Sequence, residues 1–214
     1  MNESKVTVQS YIKGLIDFAI KLIVKPVDFF QTMPKIGGLI EPLLYVVITS
    51  MLGVVLMAVE SSVTRGAGIH DLGMLAIGLI IVPLITVILS FFVAGICFAI
   101  WTFTGSKENY ETSYRCLAYP QILFPISILL SIVPYLGLLG IAWWLYLMVI
   151  ATKEVHKIPI QPALLVFGII AASSGLVYYS SVSSEMKSKE HLQEFTKELQ
   201  KMPGKSDTGN PGKR

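Results

Sequence analysis

The chain has 214 residues, 53% of them hydrophobic and only 14% charged, with a mean hydropathy of +0.66. A soluble domain of this size is about a quarter charged, so composition excludes a water-exposed globular enzyme and a disordered binder and points to a membrane protein. The 17 basic and 14 acidic residues leave a charge of +3, too small for a nucleic-acid footprint, and Cys97 and Cys116 fit neither a disulfide framework nor a metal-ligand spacing.

Residues 1–40 read as an N-terminal interfacial region. Met1 to Gln9 is polar, and an amphipathic stretch rather than a plain apolar core follows, which argues against a cleaved signal peptide. Over 6–24, Ser10, Lys13, Asp17 and Lys21 form one narrow polar stripe at helical spacing, while Tyr11, Ile12, Leu15, Ile16, Phe18, Ile20, Leu22 and Ile23 cover the rest. That pattern predicts a helix lying in the headgroup plane. Pro26 ends it, and Asp28 to Pro34 follows as a short aromatic turn.

Charges then punctuate the chain. The uncharged runs hold 18 residues between Glu41 and Glu60, 35 between Asp71 and Lys107, 37 between Arg115 and Lys153, and 27 between Lys157 and Glu185. Crossing a hydrocarbon core of about 30 Å takes roughly 20 helical residues. The spacing predicts an all-α, five-span membrane domain over 41–182, with spans near 43–59, 74–101, 117–133, 138–152 and 163–180. Helices are required because lipid offers the backbone no hydrogen bonds. Pro83 is expected to kink the second span, and Pro120 and Pro125 to bend the third as a hinge or packed kink. The turn Pro134-Tyr-Leu-Gly137 separates the two short arms of the 117–152 hairpin, which reads as two tilted spans or as one re-entrant loop.

Five spans put the termini on opposite sides. One side carries nine basic residues (Lys5, Lys13, Lys21, Lys25, Lys35, Lys107, Arg115, Lys153 and Lys157). The other has Arg65, Lys187, Lys189 and Lys197 close enough to a span to count, so the N-terminus is expected in the cytoplasm and the C-terminus outside. Residues 183–214 read as a charged helix with an apolar edge at Leu192, Phe195, Leu199 and Met202, passing into a disordered tail.

No catalytic, cofactor-binding or metal constellation emerges. His70, His156 and His191 do not share a side, and HExxH, GxSxG, P-loop and GxGxxG patterns are absent from the sequence. Glu60, His70 and Asp71 bracket an outer loop as ordinary charged loop ends. No Asp, Glu, Lys, Arg or His falls inside an expected span, which argues against an ion-coupled transporter. Ser127 and Ser131 could line a polar path near the Pro120–Pro125 kink, the basis of an alternative reading as a passive channel or a lipid or small-molecule transporter; interhelical hydrogen bonding is the preferred reading of such residues. Lys13, Lys21, Lys25, Lys153 and Lys157 are candidates for anionic lipid headgroups.

Several motifs carry a resemblance. They are Lys25-Pro-Val-Asp-Phe-Phe-Gln-Thr-Met-Pro34, Glu41-Pro-Leu-Leu-Tyr45, Gly105, Tyr110-Glu-Thr-Ser-Tyr-Arg-Cys-Leu-Ala-Tyr-Pro120, the Pro134–Gly137 turn, and Trp143 to Lys153 with Val155-His156. Over roughly residues 15–180 the chain resembles bacterial and archaeal members of the Yip family, membrane proteins named for interaction with Ypt/Rab GTPases. The resemblance implies five spans, a cytoplasmic N-terminus, an outward or lumenal C-terminus, homo- or hetero-oligomeric assembly and, in eukaryotes, vesicle trafficking. The chain lacks the long N-terminal region and the Asp-Leu-Tyr-Gly-Pro-type element of eukaryotic members, so Rab-type GTPase binding is not expected and a prokaryotic plasma membrane is. The whole reading is a non-enzymatic membrane scaffold or adaptor that contacts lipid and assembles with itself or other membrane proteins, without cofactor or nucleic acid.

Overall fold

A computed structural model describes residues 8–65 and 69–201, and every regular element among them is helical. In chain order these are α1 (Val8–Val24), α2 (Pro26–Thr32), α3 (Ile40–Arg65), α4 (Ile69–Phe103), α5 (Tyr110–Ala118), a 3₁₀ turn (Tyr119–Ile122), α6 (Leu123–Ser131), α7 (Gly137–Glu154) and α8 (Ile160–Lys201). Local chemistry sets several of these boundaries. Pro26 opens α2 at a first-turn position, where its missing N–H costs nothing. Asn109 caps α5, its side chain accepting from the Thr112 N–H at 2.8 Å.

Four helices are long and apolar enough to cross a membrane: Ile40–Ser62, Leu72–Phe103, Gly137–Glu154 and Ile160–Glu198. The segment expected as a third span, 117–133, differs. It is built from the end of α5, the 3₁₀ turn and α6, none of which is long enough alone. The prolines supply the reason. Pro120 falls within the 3₁₀ turn and Pro125 in the first turn of α6, and each removes an amide that an uninterrupted α-helix would use. Pro83, by contrast, lies inside α4, which continues through it. The loop expected between Glu60 and Asp71 is shorter than drawn from the charges, since α3 runs to Arg65 and α4 starts at Ile69. The side chains of His70 and Asp71 lie outside the described residues, as do those of Lys13, Leu199 and Met202, and Lys5.

Packing divides the chain into two units, residues 1–175 and 176–214. In the first, α6 packs against both α3 and α7. Glycines allow the close approach: a side chain at Gly53 would strike the Phe124 ring, and one at Gly140 would strike Ser127. The buried core gathers toward one end of this unit, where Leu22, Phe30, Trp101, Tyr114, Tyr119, Leu147 and Val155 are all sequestered. Over its described residues the second unit is a single exposed helical segment, with Lys189 and Glu185 paired at 2.8 Å one turn apart.

Candidate functional site

The end that holds the core also gathers the polar side chains. Its centre is Arg115, which the sequence reading placed in a loop between spans. The structure corrects this: Arg115 lies on α5 and its side chain is 0% exposed. Four groups compensate the buried charge, two from the distant 38–41 stretch and two from positions four residues to either side of Arg115. Nη1 donates to Tyr119 Oη at 2.8 Å and to Glu41 Oε2 at 3.2 Å, Nη2 donates to the Gly38 carbonyl at 2.7 Å, and Nε reaches Glu111 Oε1 at 3.4 Å. Glu111 Oε1 also accepts from the Gly38 N–H at 2.7 Å, so one carboxylate ties the arginine to the 33–39 turn. The turn can come this near because of its glycines. Gly37 and Gly38 have φ of 137° and 84°, and a Cβ on Gly37 would stand 3.2 Å from Arg115 Nη2. A planar guanidinium suits a site that needs several donors in fixed directions.

The remaining helix ends are fastened around this centre. Thr112 Oγ1 donates to the Lys35 carbonyl at 3.1 Å, and Lys35 pairs with Glu108 at 2.5 Å. Tyr110 Oη donates to the Phe91 carbonyl at 2.9 Å, and Tyr114 stacks on Phe91 with its hydroxyl 3.1 Å from Ser90 Oγ, which fixes α5 to α4. Gln31 of α2 donates to Glu154 of α7 at 2.8 Å. Beneath Arg115, the rings of Phe18, Phe29, Tyr45 and Tyr119 meet edge to face at 4.6–5.8 Å.

His156 lies in the loop between α7 and α8, as the sequence reading has it, and is buried too. Its ring stacks on Trp101 with centroids 3.9 Å apart, and Nδ1 lies 2.8 Å from Ser106 Oγ. The Trp101 indole donates to Thr152 Oγ1 at 2.9 Å, joining the ends of α4 and α7. Burial, and secondarily the charge of Lys35, lowers the imidazole pKa to about 3. Ser106 and His156 therefore have the spacing of a nucleophile and its base, but so weak a base does not activate a hydroxyl near neutrality. Among the described residues, no group of three or more His, Cys, Asp or Glu side chains is placed to hold a metal ion.

The residues singled out in the sequence fall into two sets. Lys21, Lys25, Lys153 and Lys157 are exposed and belong to the segments fastened at this end; Lys21 Nζ donates to Thr32 Oγ1 at 2.8 Å, and Lys153 lies 3.5 Å from Glu154. Ser127 lies at the α6–α7 contact opposite Gly140, and Ser131 is exposed with its hydroxyl donating to the Ile128 carbonyl at 2.7 Å. Sequence reasoning missed Arg115, Tyr119 and His156 as centres of packing. A signal was present in Glu111, Arg115 and Tyr119, which recur at four-residue steps on one helical face.

The buried centre draws on the same motifs that carried the resemblance: Phe29 and Phe30, Glu41 and Tyr45, Tyr110 to Tyr119, and His156. Comparison with curated proteins and with solved structures gave no match. The family profile of the Yip1 domain matches residues 20–182, most of the chain, and the protein is therefore an integral membrane member of the Yip family.

Proposed function

We propose that the protein is a non-enzymatic membrane scaffold or adaptor of a prokaryotic plasma membrane, assembling with itself or with other membrane proteins and holding anionic lipid around its cytoplasmic end. One observation carries this reading. At the Arg115 end most buried polar side chains bond one another, Tyr45 Oη and His156 Nε2 excepted, while Lys21, Lys25, Lys153 and Lys157 are exposed. Such an end is a packed platform carrying exposed lysines rather than a substrate pocket. Each lysine near an anionic surface contributes about 1 kcal/mol.

In this reading α1 lies at headgroup depth and the chain crosses five times, the third time through α5, the 3₁₀ turn and α6. From Cys116 to Ser131 the helical rise is about 24 Å, and α7 rises about 27 Å, just under a core of about 30 Å. The turn between them is suited to the edge of the hydrocarbon. It carries no charge, and the amides of Ile132, Val133, Leu136, Leu138 and Leu139 are bonded within it. The N-terminus is then cytoplasmic and the C-terminus outside.

Lipid selectivity tests the platform. In nanodiscs of mixed zwitterionic and anionic lipid, the full chain should enrich spin-labelled anionic lipid in its motionally restricted shell. Replacing Lys21, Lys25, Lys153 and Lys157 with Glu should abolish that enrichment, and equal enrichment in both proteins would refute the platform. Co-purification of two differently tagged copies tests self-assembly.

A further inference from the structure

Helix α1 has two apolar edges with different fates. Phe18 and Leu22 turn inward: the Phe18 ring lies 4.6 Å from those of Phe29 and Tyr119 and 5.6 Å from that of Tyr45, and Leu22 is fully buried. Ile16, Ile20 and Val24 repeat at four-residue steps on another edge and are 53%, 54% and 67% exposed. Asp17 and Lys21 are exposed too.

The inward contacts set the depth of the outward edge. Tyr45 lies four residues beyond Glu41, the last charge before the apolar run of α3, about 6 Å of helical rise along that helix. A helix held against Tyr45 therefore sits beside the first turn of that apolar run, at the boundary between headgroups and acyl chains. An apolar edge left uncovered at that depth meets acyl chains, and it meets them in one leaflet only. The exposed lysines Lys21 and Lys25 on the same segment suit the headgroup boundary.

We propose that α1 is a one-sided wedge whose Ile16–Ile20–Val24 edge takes acyl chains of its own leaflet, so that the protein gathers where that leaflet is convex and its headgroups are spread. This rests on the reading of α1 as an interfacial helix, but not on any preference for anionic lipid. The packed face of α1 fixes the wedge to the Arg115 end, so its insertion does not depend on folding at the membrane.

The test uses the full chain carrying Lys107→Cys, reconstituted in purely zwitterionic tethered vesicles and dyed from outside, so that only copies with the α1 end outward are counted. Protein density per lipid should rise severalfold as vesicle diameter falls from about 400 to about 50 nm, as expected of a curvature-sensitive interfacial helix. The triple variant Ile16→Ser, Ile20→Ser, Val24→Ser leaves Phe18 and Leu22 in place and should flatten that dependence. Lys21→Gln with Lys25→Gln should retain it, which separates this inference from the anionic-lipid reading. A flat response of the unaltered edge, or an unchanged response of the triple variant, would overturn the wedge. So would efficient disulfide-linked dimerisation of Ile20→Cys in membranes, which would mean that a second copy covers the edge.

Discussion

Helices α4 and α7 make an instructive pair. Of the four candidate spans α4 is the most apolar and the least buried, with 6% of its most apolar stretch inside the protein; α7 is the least apolar and the most buried, with 44%. In water the order would be reversed. In a bilayer apolar surface gains nothing by leaving lipid, so helices associate where small residues permit close contact and polar groups find partners. Helix α7 has both, in Gly140 against Ser127 and Thr152 against Trp101, whereas α4 exposes Ile77, Ile80, Leu84, Ile88 and Phe92 along most of its length. The architecture is therefore fastened at its polar end and lipid-facing along its most apolar helix.

The sharpest way to break this contrast is to remove its centre. Arg115→Met leaves Glu111, Tyr119 and the Gly38 carbonyl without the arginine that joins them, and each partly buried group left without its partner costs about 1–3 kcal/mol. Thermal unfolding in detergent should fall markedly for this variant. Leu84→Ala on the exposed face of α4 should leave it nearly unchanged.

A smaller effect, with a defined pH window, is expected at His156. Its pKa is about 3 in the folded protein against an ordinary value of 6.5, so folding favours the neutral ring. The stabilisation is complete above about pH 6.5 and is lost progressively as pH falls toward 3. At pH 5 the loss is about 2 kcal/mol, taking 1.36 kcal/mol per pH unit. Unfolding measured at pH 7 and 5 should show this difference, and His156→Gln should reduce it.

The smallest effect belongs to the second unit. Lys189 and Glu185 are both largely exposed, and a surface pair at this spacing contributes only about 0.3–0.5 kcal/mol. Lys189→Ala should leave thermal unfolding within error. A large loss there would mean that the exposed segment is packed in the folded protein.

The sequence was informative where lipid sets the rule and misleading where packing does. Uncharged runs located the apolar helices α3, α4, α7 and α8 because hydrocarbon tolerates little charge. The same rule made Arg115 a loop marker. Its partners Gly38 and Glu41 lie more than 70 residues away, and nothing local announces that they will meet it. Pro120 and Pro125 were read as bending one span, but a count of apolar residues could not show that they divide it into α5, a 3₁₀ turn and α6. The aromatic and glycine motifs that carried the family resemblance were legible as motifs, while their convergence around one arginine was visible only in three dimensions.

The central claim is that the α5–3₁₀–α6 path is a true crossing suspended from a cytoplasmic arginine centre. Single cysteines in place of Lys25, Tyr135, Lys157 and Ser184, probed in intact cells with an impermeant maleimide, test it most directly, because the native Cys97 and Cys116 are buried. The account predicts labelling at 135 and 184 from outside and protection at 25 and 157 until the membrane is opened. Protection at 135 together with 157 would make the hairpin re-entrant and contradict it.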